Sequence, residues 1–408
     1  METLLMLLLG GALAVLLSVR CNTLLVYFQQ EEYDDSRFFT AWQNVRLYDV
    51  IASLATVVLL LSGWLSGMLP ITLLLLSFVY IAIAWHEQRY QFKKPLVNTE
   101  RVRRIRACAL VLLLPLVLIA SVIPWLSVLA LQLVPLTLLL ANKILQPAQQ
   151  RLNESFVQQA RERLAENTAV AIGVTGSFGK TTVKHMLADM LSIGGPVFYS
   201  RGSVNTVLGL TRHIRQRLQP SHRFFVAEMG AYQIGSIKRL CEFVKPVYGI
   251  VTAVGEAHAE RFGSIENTAV AKAELADWVC QHGTRLVTTE AVIALKPFDE
   301  LRKRHPDKFI VVGYASACDV LIGDSRLAQG KWQIALDFAD SNRFEYSLPL
   351  LGDHNILNSA LAVALIHAID ADLLSRLAPK MADLEQVAHR LELRENPGEP
   401  LVLDDAYN

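Results

Sequence analysis

The hydrophobic residues of this chain are concentrated in its first 145 positions. They form five long apolar runs, Glu2–Val19, Val50–Leu69, Ile71–Trp85, Ala107–Val122 and Trp125–Ala141. An upright helix needs roughly 20 apolar residues to cross the hydrocarbon core of a bilayer. The pattern therefore predicts a transmembrane region of about five helices over residues 1–145. Pro70 and Pro124 break two neighbouring pairs of runs, which predicts two helical hairpins.

Charge around these runs predicts their orientation. The segment His86–Arg106 carries seven lysines and arginines. The positive-inside rule places it in the cytoplasm, with the N-terminus outside and both Tyr27–Tyr48 and the chain after Lys143 inside. The same basic segment is a candidate for binding anionic membrane lipids. A cleaved signal peptide is disfavoured, because the first run has no basic leader or small-residue cleavage site.

The second half of the chain has the pattern of an α/β domain. A polar amphipathic helix over Asn153–Glu166 is predicted to connect the two parts, within residues 146–167. Strand-like runs then alternate with helical stretches. The strand-like runs are Thr168–Thr175, Arg223–Ala227, Tyr248–Val254, Thr284–Thr288 and Lys308–Val312, and the helical ones include Lys180–Leu191, Ser264–Cys280 and Asn355–Ala368. This alternation predicts a parallel sheet flanked by helices over residues 168–400. Trp332–Phe338 and Phe344–Leu348 predict a small antiparallel sheet at its edge.

Composition excludes some functions. The chain is 52% hydrophobic with a net charge of +1, which gives no indication of a nucleic-acid partner. Its five cysteines are far apart and form no metal-binding or disulfide pattern.

The strongest chemical signal is GVTGSFGKTT, from Gly173 to Thr182. A predicted strand leads into it and a predicted helix leads out, which is the context of a phosphate-binding loop. Glycines let the backbone approach phosphate oxygens, and the helix N-terminus favours an anion. Lys180 is expected to reach the β and γ phosphates, and the Thr181 hydroxyl to bind Mg²⁺. The pattern departs from the usual phosphate loop at Val174, where a glycine is common.

This loop resembles that of the Mur ligases, which add amino acids to peptidoglycan precursors. Further segments resemble the family in the same order along the chain. They are AEMG (227–230), VGEAHAERFGS (254–264), AKAE (271–274), GDHNILNSALA (352–362), HRLE (389–392) and LDDAYN (403–408). The residues in these segments are most similar to those of the family members that add D-alanyl-D-alanine. The resemblance covers roughly residues 168–408 and implies the phosphate-loop α/β fold of the family's central domain.

The resemblance also implies roles for individual residues. The expected ATP-binding residues are Gly176, Ser177, Gly179, Lys180, Thr181 and Thr182 on the phosphates, Asn355 on adenine, Arg390 on phosphate and Asp405 on the ribose. The expected Mg²⁺ ligands are Thr181, Glu228 and His258. Lys272 matches a lysine that is carbamylated in many members, and Asn205 is expected to contact the carboxylate substrate. Lys180, Lys272, His258 and Arg390 form the expected catalytic set.

The activity implied is that of an ATP-dependent amide ligase. Transfer of the γ-phosphoryl group to a carboxylate makes an acyl phosphate, which an amine then attacks. A muramyl-peptide precursor and an amino acid or dipeptide are the implied substrates. The implied location is the bacterial inner membrane, with the catalytic domain in the cytoplasm.

Two departures from the family leave alternatives open. Membrane spans stand where the family has a UDP-binding domain, so a lipid-linked precursor is an alternative acceptor. Residues 401–408 match only the start of the family's C-terminal domain, which predicts a truncated domain or a separate one supplied as a partner. The alternative functions are a ligase resembling membrane-bound poly-γ-glutamate synthases, and a non-catalytic, nucleotide-binding scaffold for wall-synthesis enzymes.

Overall fold

The structure is a computed structural model that describes residues 2–92, 94–255, 262–388, 390–394, 400 and 402–406. The chain forms two compact units, Met1–Asn153 and Glu154–Asn408.

The first unit is helical. Its helices are α1 (Glu2–Gln30), α2 (Asp35–Val45), α3 (Leu47–Ser66), α4 (Leu69–Gln88), α5 (Glu100–Val122) and the beginning of α6 (Leu126–Ala165). Within the described residues, five of these helices, all except α2, are long and apolar enough to cross a membrane. The number of spans predicted from the apolar runs therefore agrees with the number of candidate helices.

Two details of the predicted membrane region are wrong. The predicted loop Tyr27–Tyr48 contains α2, which Asp34 caps by accepting hydrogen bonds from the first amide groups. Pro70 is also not the break between the two apolar runs. It lies in the first turn of α4, where its missing N–H leaves no hydrogen bond unmade. The turn is made at Gly67, whose φ of +68° is a left-handed conformation.

Helix α6 also corrects the prediction of a separate connecting helix. Its 40 residues continue from the apolar run into the polar segment that was expected to start anew at Asn153. The change of composition near Leu152 therefore marks a change of environment along one helix, and not a break in secondary structure.

A buried ionic cluster joins three helices of the first unit. Arg20 on α1 donates to Asp49 on α3 at 2.7 and 2.8 Å and to Glu87 on α4 at 2.8 Å. All three residues are 1% exposed. Charged groups in such surroundings require partners, because an isolated buried charge is very costly.

The second unit is built on a mixed sheet. Its strands are β1 (Val170–Thr175), β2 (Val197–Tyr199), β3 (Phe224–Glu228), β4 (Tyr248–Val251), β5 (Arg285–Thr289), β6 (Phe309–Gly313), β7 (Val320–Ile322), β8 (Arg326–Ala328), β9 (Lys331–Phe338) and β10 (Arg343–Leu348). The order across the sheet is β10-β9-β7-β6-β5-β4-β1-β3-β2, with β8 paired to β9. Strands β1 to β7 pair in parallel, and β8, β9 and β10 add antiparallel pairs.

Helices cover both faces of this sheet. They are α7 (Lys180–Leu191), α8 (Val207–Arg217), α9 (Ser236–Val244), α10 (Ile265–His282), α11 (Glu290–Ile293), α12 (Lys296–Arg304), α13 (His354–Ile369) and α14 (Leu374–Ala382). Alternate strand residues enter two separate cores, as the period of two in a strand requires. Ile172 and Val174 pack with α7 and α13, whereas Ala171 packs with α8, α9 and α10. The predicted α/β architecture is confirmed.

The predicted antiparallel hairpin exists, but it is not a separate sheet. Strand β9 pairs with β7 through Val320–Phe338, so β9 and β10 extend the main sheet. The sequence prediction also missed β2, a strand of three residues that is too short to show a period. A further pair, β11 (Glu392–Arg394) with β12 (Val402–Asp404), forms a small two-stranded sheet near the C-terminus.

Candidate active site

The loop between β1 and α7 lies at the carboxyl edge of the parallel strands. Two of its glycines are required by the backbone. Gly176 has a φ of +151°, and a Cβ there would meet Thr252 Oγ1 at 1.9 Å. Gly179 has a φ of +78°, and its Cβ would meet Asn358 Oδ1 at 2.6 Å. Side chains would therefore prevent both the loop conformation and the close approach of its neighbours.

The loop is tied to the segment after β4. Ser177 donates its backbone N–H to the Ala253 carbonyl at 2.6 Å. The Ser177 hydroxyl donates to the Gly255 carbonyl at 3.0 Å and accepts from the Gly255 amide at 2.9 Å. Because parallel strands end at the same edge, the loops after β1, β3 and β4 meet there, which is where open α/β sheets bind ligands.

Lys180 begins α7 and turns back over the loop. Its Nζ donates to the carbonyls of Gly176 at 2.7 Å and Ser177 at 3.1 Å. Burial lowers the pKa of Lys180, the negative charge of Glu228 opposes this, and Arg390 adds to the lowering. The predicted phosphate-binding lysine is therefore held at the loop.

Glu228 ends β3 and is 1% exposed. Its Oε2 accepts from the Thr181 hydroxyl at 3.0 Å and from Lys184 Nζ at 3.2 Å, and its Oε1 accepts from Asn205 Nδ2 at 3.1 Å. Arg390 Nη2 donates to the Thr181 hydroxyl at 3.3 Å. The structure thus brings together four residues that the sequence predicted separately, Thr181, Asn205, Glu228 and Arg390.

Lys272 lies on α10 and is 3% exposed. Burial lowers its pKa from the ordinary value of 10.5 to about 7, and the positive charge of Lys180 adds to this. An amine with this pKa is substantially neutral near neutral pH, which is the form that acts as a nucleophile.

These groups line one cavity of about 450 Å³. Its walls include the predicted residues Ser177, Gly179, Lys180, Thr181, Asn205, Glu228, Lys272 and Arg390. A second cavity of about 210 Å³ is lined by Thr182, Asn355 and Asp405 among others. Phe178, Gly179 and Arg390 line both cavities, so the two adjoin across the phosphate loop.

In the second cavity, Asn355 is positioned by its neighbours. Its Nδ2 donates to the Leu351 carbonyl at 2.6 Å, and its Oδ1 accepts from Asn358 Nδ2 at 3.1 Å. Asp405 Oδ1 accepts from the Leu391 amide at 3.3 Å. Helix α13 begins at His354, one residue before the predicted start at Asn355, and Asp353 is its N-cap.

The oxygen atoms of Thr181 and Glu228 fit a Mg²⁺ ion, which prefers hard oxygen ligands and retains waters and phosphate oxygens as further ligands. Within the described part of the chain, no cluster of three or more histidine, cysteine or acidic residues offers a metal site made by protein groups alone. His258, the third predicted ligand, lies outside the described residues.

The sequence prediction missed three residues near this site. Lys184 stands four positions after Lys180 on the same face of α7, a spacing that offered a signal. Phe178 is 56% exposed between the two cavities. Tyr232 lines the larger cavity and donates from its hydroxyl to Asn205 Oδ1 at 3.1 Å. Phe178 lies inside the motif GVTGSFGKTT but was assigned no role, and no quoted motif contains Tyr232.

Comparison with known proteins finds similarity to one family over the second unit. Residues 174–366 match the family described as "Mur ligase middle domain". The chain is 30% identical over 243 residues to the UDP-N-acetylmuramoyl-tripeptide--D-alanyl-D-alanine ligase of Escherichia coli, which covers 59% of this chain and 52% of that protein. The chain thus spans about half the length of the curated relatives it matches.

Solved structures of the ligase MurF give the same result. The crystal structure of MurF from Acinetobacter baumannii matches with a TM-score of 0.55 and 25% identity, covering 63% of this chain and 55% of that one. MurF from Thermotoga maritima in complex with ADP matches with a TM-score of 0.52 and 27% identity, covering 63% and 57%. Residues 174–366 are therefore similar in sequence to the middle domain of the Mur ligases, and the second unit is similar in fold to MurF.

Proposed function

We propose that this protein is an ATP-dependent amide ligase of peptidoglycan precursor synthesis. One observation carries the proposal: a phosphate loop, a buried lysine, the Thr181–Glu228 pair and Arg390 line a single cavity. Similarity to MurF proteins, one of them in complex with ADP, supports ATP as the nucleotide.

Charge favours a polyphosphate in this cavity. The cations Lys180 and Arg390 line it, together with the amides at the start of α7. We infer that the phosphates lie on residues Gly176–Thr182 and that the nucleoside extends into the smaller cavity. There Asn355 would contact adenine and Asp405 would hold the ribose. Preorganised positive charge of this kind is the main source of catalysis in phosphoryl transfer.

A carboxylate must be activated before an amine can form an amide with it, because its oxygen is a poor leaving group. A carboxylate oxygen attacks the γ-phosphorus of ATP, and the bond between that phosphorus and the β–γ bridging oxygen breaks. ADP is the leaving group, and the product is an acyl phosphate. An amine then attacks the acyl carbon, phosphate leaves with its bonding electrons, and the new amide nitrogen releases a proton to solvent. Lys180 and Arg390 stabilise the charge where the two anions meet. Mg²⁺, held at Thr181, Glu228 and His258, would neutralise charge on the transferring group.

Lys272 adds a carboxylate to this site in the proposal. Its neutral amine attacks CO₂, a N–C bond forms and a proton is released to solvent, which leaves a carbamate. This replaces a neutral amine by an anion in the cavity that Lys180 and Arg390 also line. The lowered pKa of Lys272 supports this step, because the ammonium form has no free electron pair.

The substrate that best fits the similarity is a muramyl peptide, with D-alanyl-D-alanine or an amino acid as the incoming amine. Asn205 and Tyr232 line the cavity beside Glu228, which supports a role for them in binding the acceptor carboxylate. The candidate spans favour an inner-membrane protein with a cytoplasmic active site, and therefore an acceptor presented at the membrane, including a lipid-linked one.

The first test measures nucleotide binding. The full chain, purified in detergent, is titrated with a fluorescent ATP analogue. Lys180→Ala is expected to weaken binding roughly 100-fold, because a charge-assisted contact to phosphate is lost. Lys296→Ala is the matched control, since its side chain is 87% exposed on α12, and it should bind normally. Equal binding by the Lys180→Ala variant and the original chain would refute the site.

The second test measures ADP release with candidate acceptors. Soluble muramyl tripeptide and a lipid-linked precursor are each supplied with D-alanyl-D-alanine, with and without a separate C-terminal ligase domain. Release that requires acceptor and amine supports the ligase. Nucleotide binding without release under every condition would favour the scaffold alternative.

A further inference from the structure

Lys184 has no place in the proposed reaction, although it lies beside its metal-binding carboxylate. It is on α7, and its side chain is 0% exposed. Its Nζ contacts Glu228 Oε2 at 3.2 Å and donates to the Gly202 carbonyl. Lys184 is absent from the described lining of the site cavity, and its contact with the lining is the one it makes with Glu228. Whatever it does for the site, it does through Glu228.

The contact neutralises a carboxylate that would otherwise be a buried charge. Thr181 and Asn205 also donate to Glu228, but both are uncharged. The ammonium of Lys184 is the group that balances Glu228 in an ion pair among the described residues. Such a pair makes the empty site stable, because a buried carboxylate without a countercharge is strongly destabilising.

The same ammonium opposes a metal ion. A divalent cation bound to Glu228 would lie within a few ångströms of Lys184 Nζ, and like charges at that distance repel strongly in a buried site. Two other cations, Lys180 and Arg390, line the cavity as well. A metal alone therefore enters a site that is already positive, whereas a metal with a nucleotide brings enough negative charge to bind.

We propose that Lys184 prevents Glu228 from binding a divalent cation until a nucleotide is present. Lys184 is a positioning residue. Without a metal ion, its positive charge neutralises Glu228, and its hydrogen bond to the Gly202 carbonyl keeps it in position. The consequence is an ordered site, in which a metal joins only with or after the nucleotide. The inference rests on the proposed function for the identity of Glu228 as a metal ligand.

The test titrates the full chain in detergent with Mn²⁺ alone, without nucleotide, and follows free Mn²⁺ by electron paramagnetic resonance. Lys184→Gln keeps hydrogen-bonding capacity but removes the charge, and it should bind Mn²⁺ on the order of 100-fold more tightly than the original chain. Lys184→Arg keeps the charge and should bind as weakly as the original. Adding Glu228→Gln to Lys184→Gln should abolish the gain.

Unchanged Mn²⁺ affinity in Lys184→Gln, or a gain that persists in the double variant, would overturn the proposal. Thermal unfolding covers the case in which the variant is destabilised. Mn²⁺ alone should then raise the melting temperature of Lys184→Gln and not of the original chain, a response that a purely structural lysine would not produce. An original chain that binds no ATP would contradict the proposed function, whereas these Mn²⁺ measurements would still test Lys184.

Discussion

Individual residues of the site are set by two physical constraints, backbone conformation and burial of charge. Gly179 caps α7 in a left-handed conformation, and Gly235 caps α9 in a closely similar one, with φ values of +78° and +88°. They differ in their surroundings. A Cβ at Gly179 would contact Asn358, whereas a Cβ at Gly235 would meet nothing within 4 Å. Alanine substitutions at Gly179 and Gly235 therefore distinguish two effects: backbone strain, which both would cause, and a steric clash, which only the substitution at Gly179 would cause.

We expect Gly179→Ala to weaken nucleotide binding at least about 10-fold and to destabilise the fold by roughly 1–2 kcal/mol, since strain and a clash act together. Gly235→Ala should cost a similar backbone strain but leave nucleotide affinity unchanged. Melting temperature and analogue titration, measured on the same samples, distinguish the two effects. Equal losses of affinity in both variants would contradict the role assigned to Gly179.

Lys272 gives the site a dependence on pH. With a pKa of about 7, its neutral fraction is about 10% at pH 6 and about 90% at pH 8. Carbamylation, followed by ¹³C NMR with labelled bicarbonate, is expected to rise over this interval and to be absent in Lys272→Ala. A signal that rises only above pH 9 would show an ordinary lysine.

The same lowered pKa affects stability, with a definite sign. The unfolded chain binds a proton at Lys272 up to its ordinary pKa of 10.5, whereas the folded chain releases it above about 7. Between these values the unfolded state carries more protons. The contribution of Lys272 to the free energy of unfolding therefore rises as pH increases through this window, and is most unfavourable below pH 7.

Elements in the first unit are joined by the cluster of Arg20, Asp49 and Glu87, which links α1, α3 and α4. Its three charges come from segments far apart in sequence. The apolar helices could pack against one another in several arrangements. The buried ionic cluster favours the arrangement that brings its three side chains together, because an unpaired buried charge is strongly destabilising.

Replacing Arg20 should therefore disrupt helix packing. Arg20→Met leaves two buried carboxylates without their countercharge, and we expect a loss of about 3–5 kcal/mol. Arg151→Met, at an exposed position of α6, is the control and should have little effect. Thermal unfolding of the detergent-purified proteins measures both. A small effect of Arg20→Met would mean that the carboxylates are neutralised in another way.

For the whole molecule, the distribution of positive charge predicts how the chain crosses a membrane. Tyr90 lies between α4 and α5 in the basic segment, and Trp125 lies between α5 and α6. The positive-inside rule puts Tyr90 in the cytoplasm and Trp125 outside. This orientation also places the second unit where ATP is available.

Single cysteines test this orientation. In a chain whose five native cysteines are replaced, Trp125→Cys should react with a membrane-impermeant maleimide in intact spheroplasts. Tyr90→Cys should react only after permeabilisation. Both positions are well exposed, at 45% and 55%, so lack of reaction reports the side of the membrane. The reverse labelling pattern would invert the topology and remove the site from cytoplasmic ATP.

Local patterns in the amino-acid sequence were enough to predict several features of the fold. Apolar runs predicted five candidate spans, alternation predicted the α/β sheet, and GVTGSFGKTT predicted a strand, a glycine turn and the helix Lys180–Leu191 at its observed bounds. These predictions succeed because hydrophobic periodicity and the need for glycine in a tight turn both depend on residues close together in the sequence. The roles of the site residues remain predictions, and His258 lies outside the described residues.

Tertiary structure decided what depends on contacts distant in sequence. The joining of the β9–β10 hairpin to the main sheet requires pairing with β7, which no local pattern specifies. The continuity of α6 shows that a change in polarity need not end a helix. The contact of Lys184 with Glu228 spans 44 positions, and the lowered pKa of Lys272 comes from burial. Such effects arise only when the folded chain excludes water and brings remote charges together.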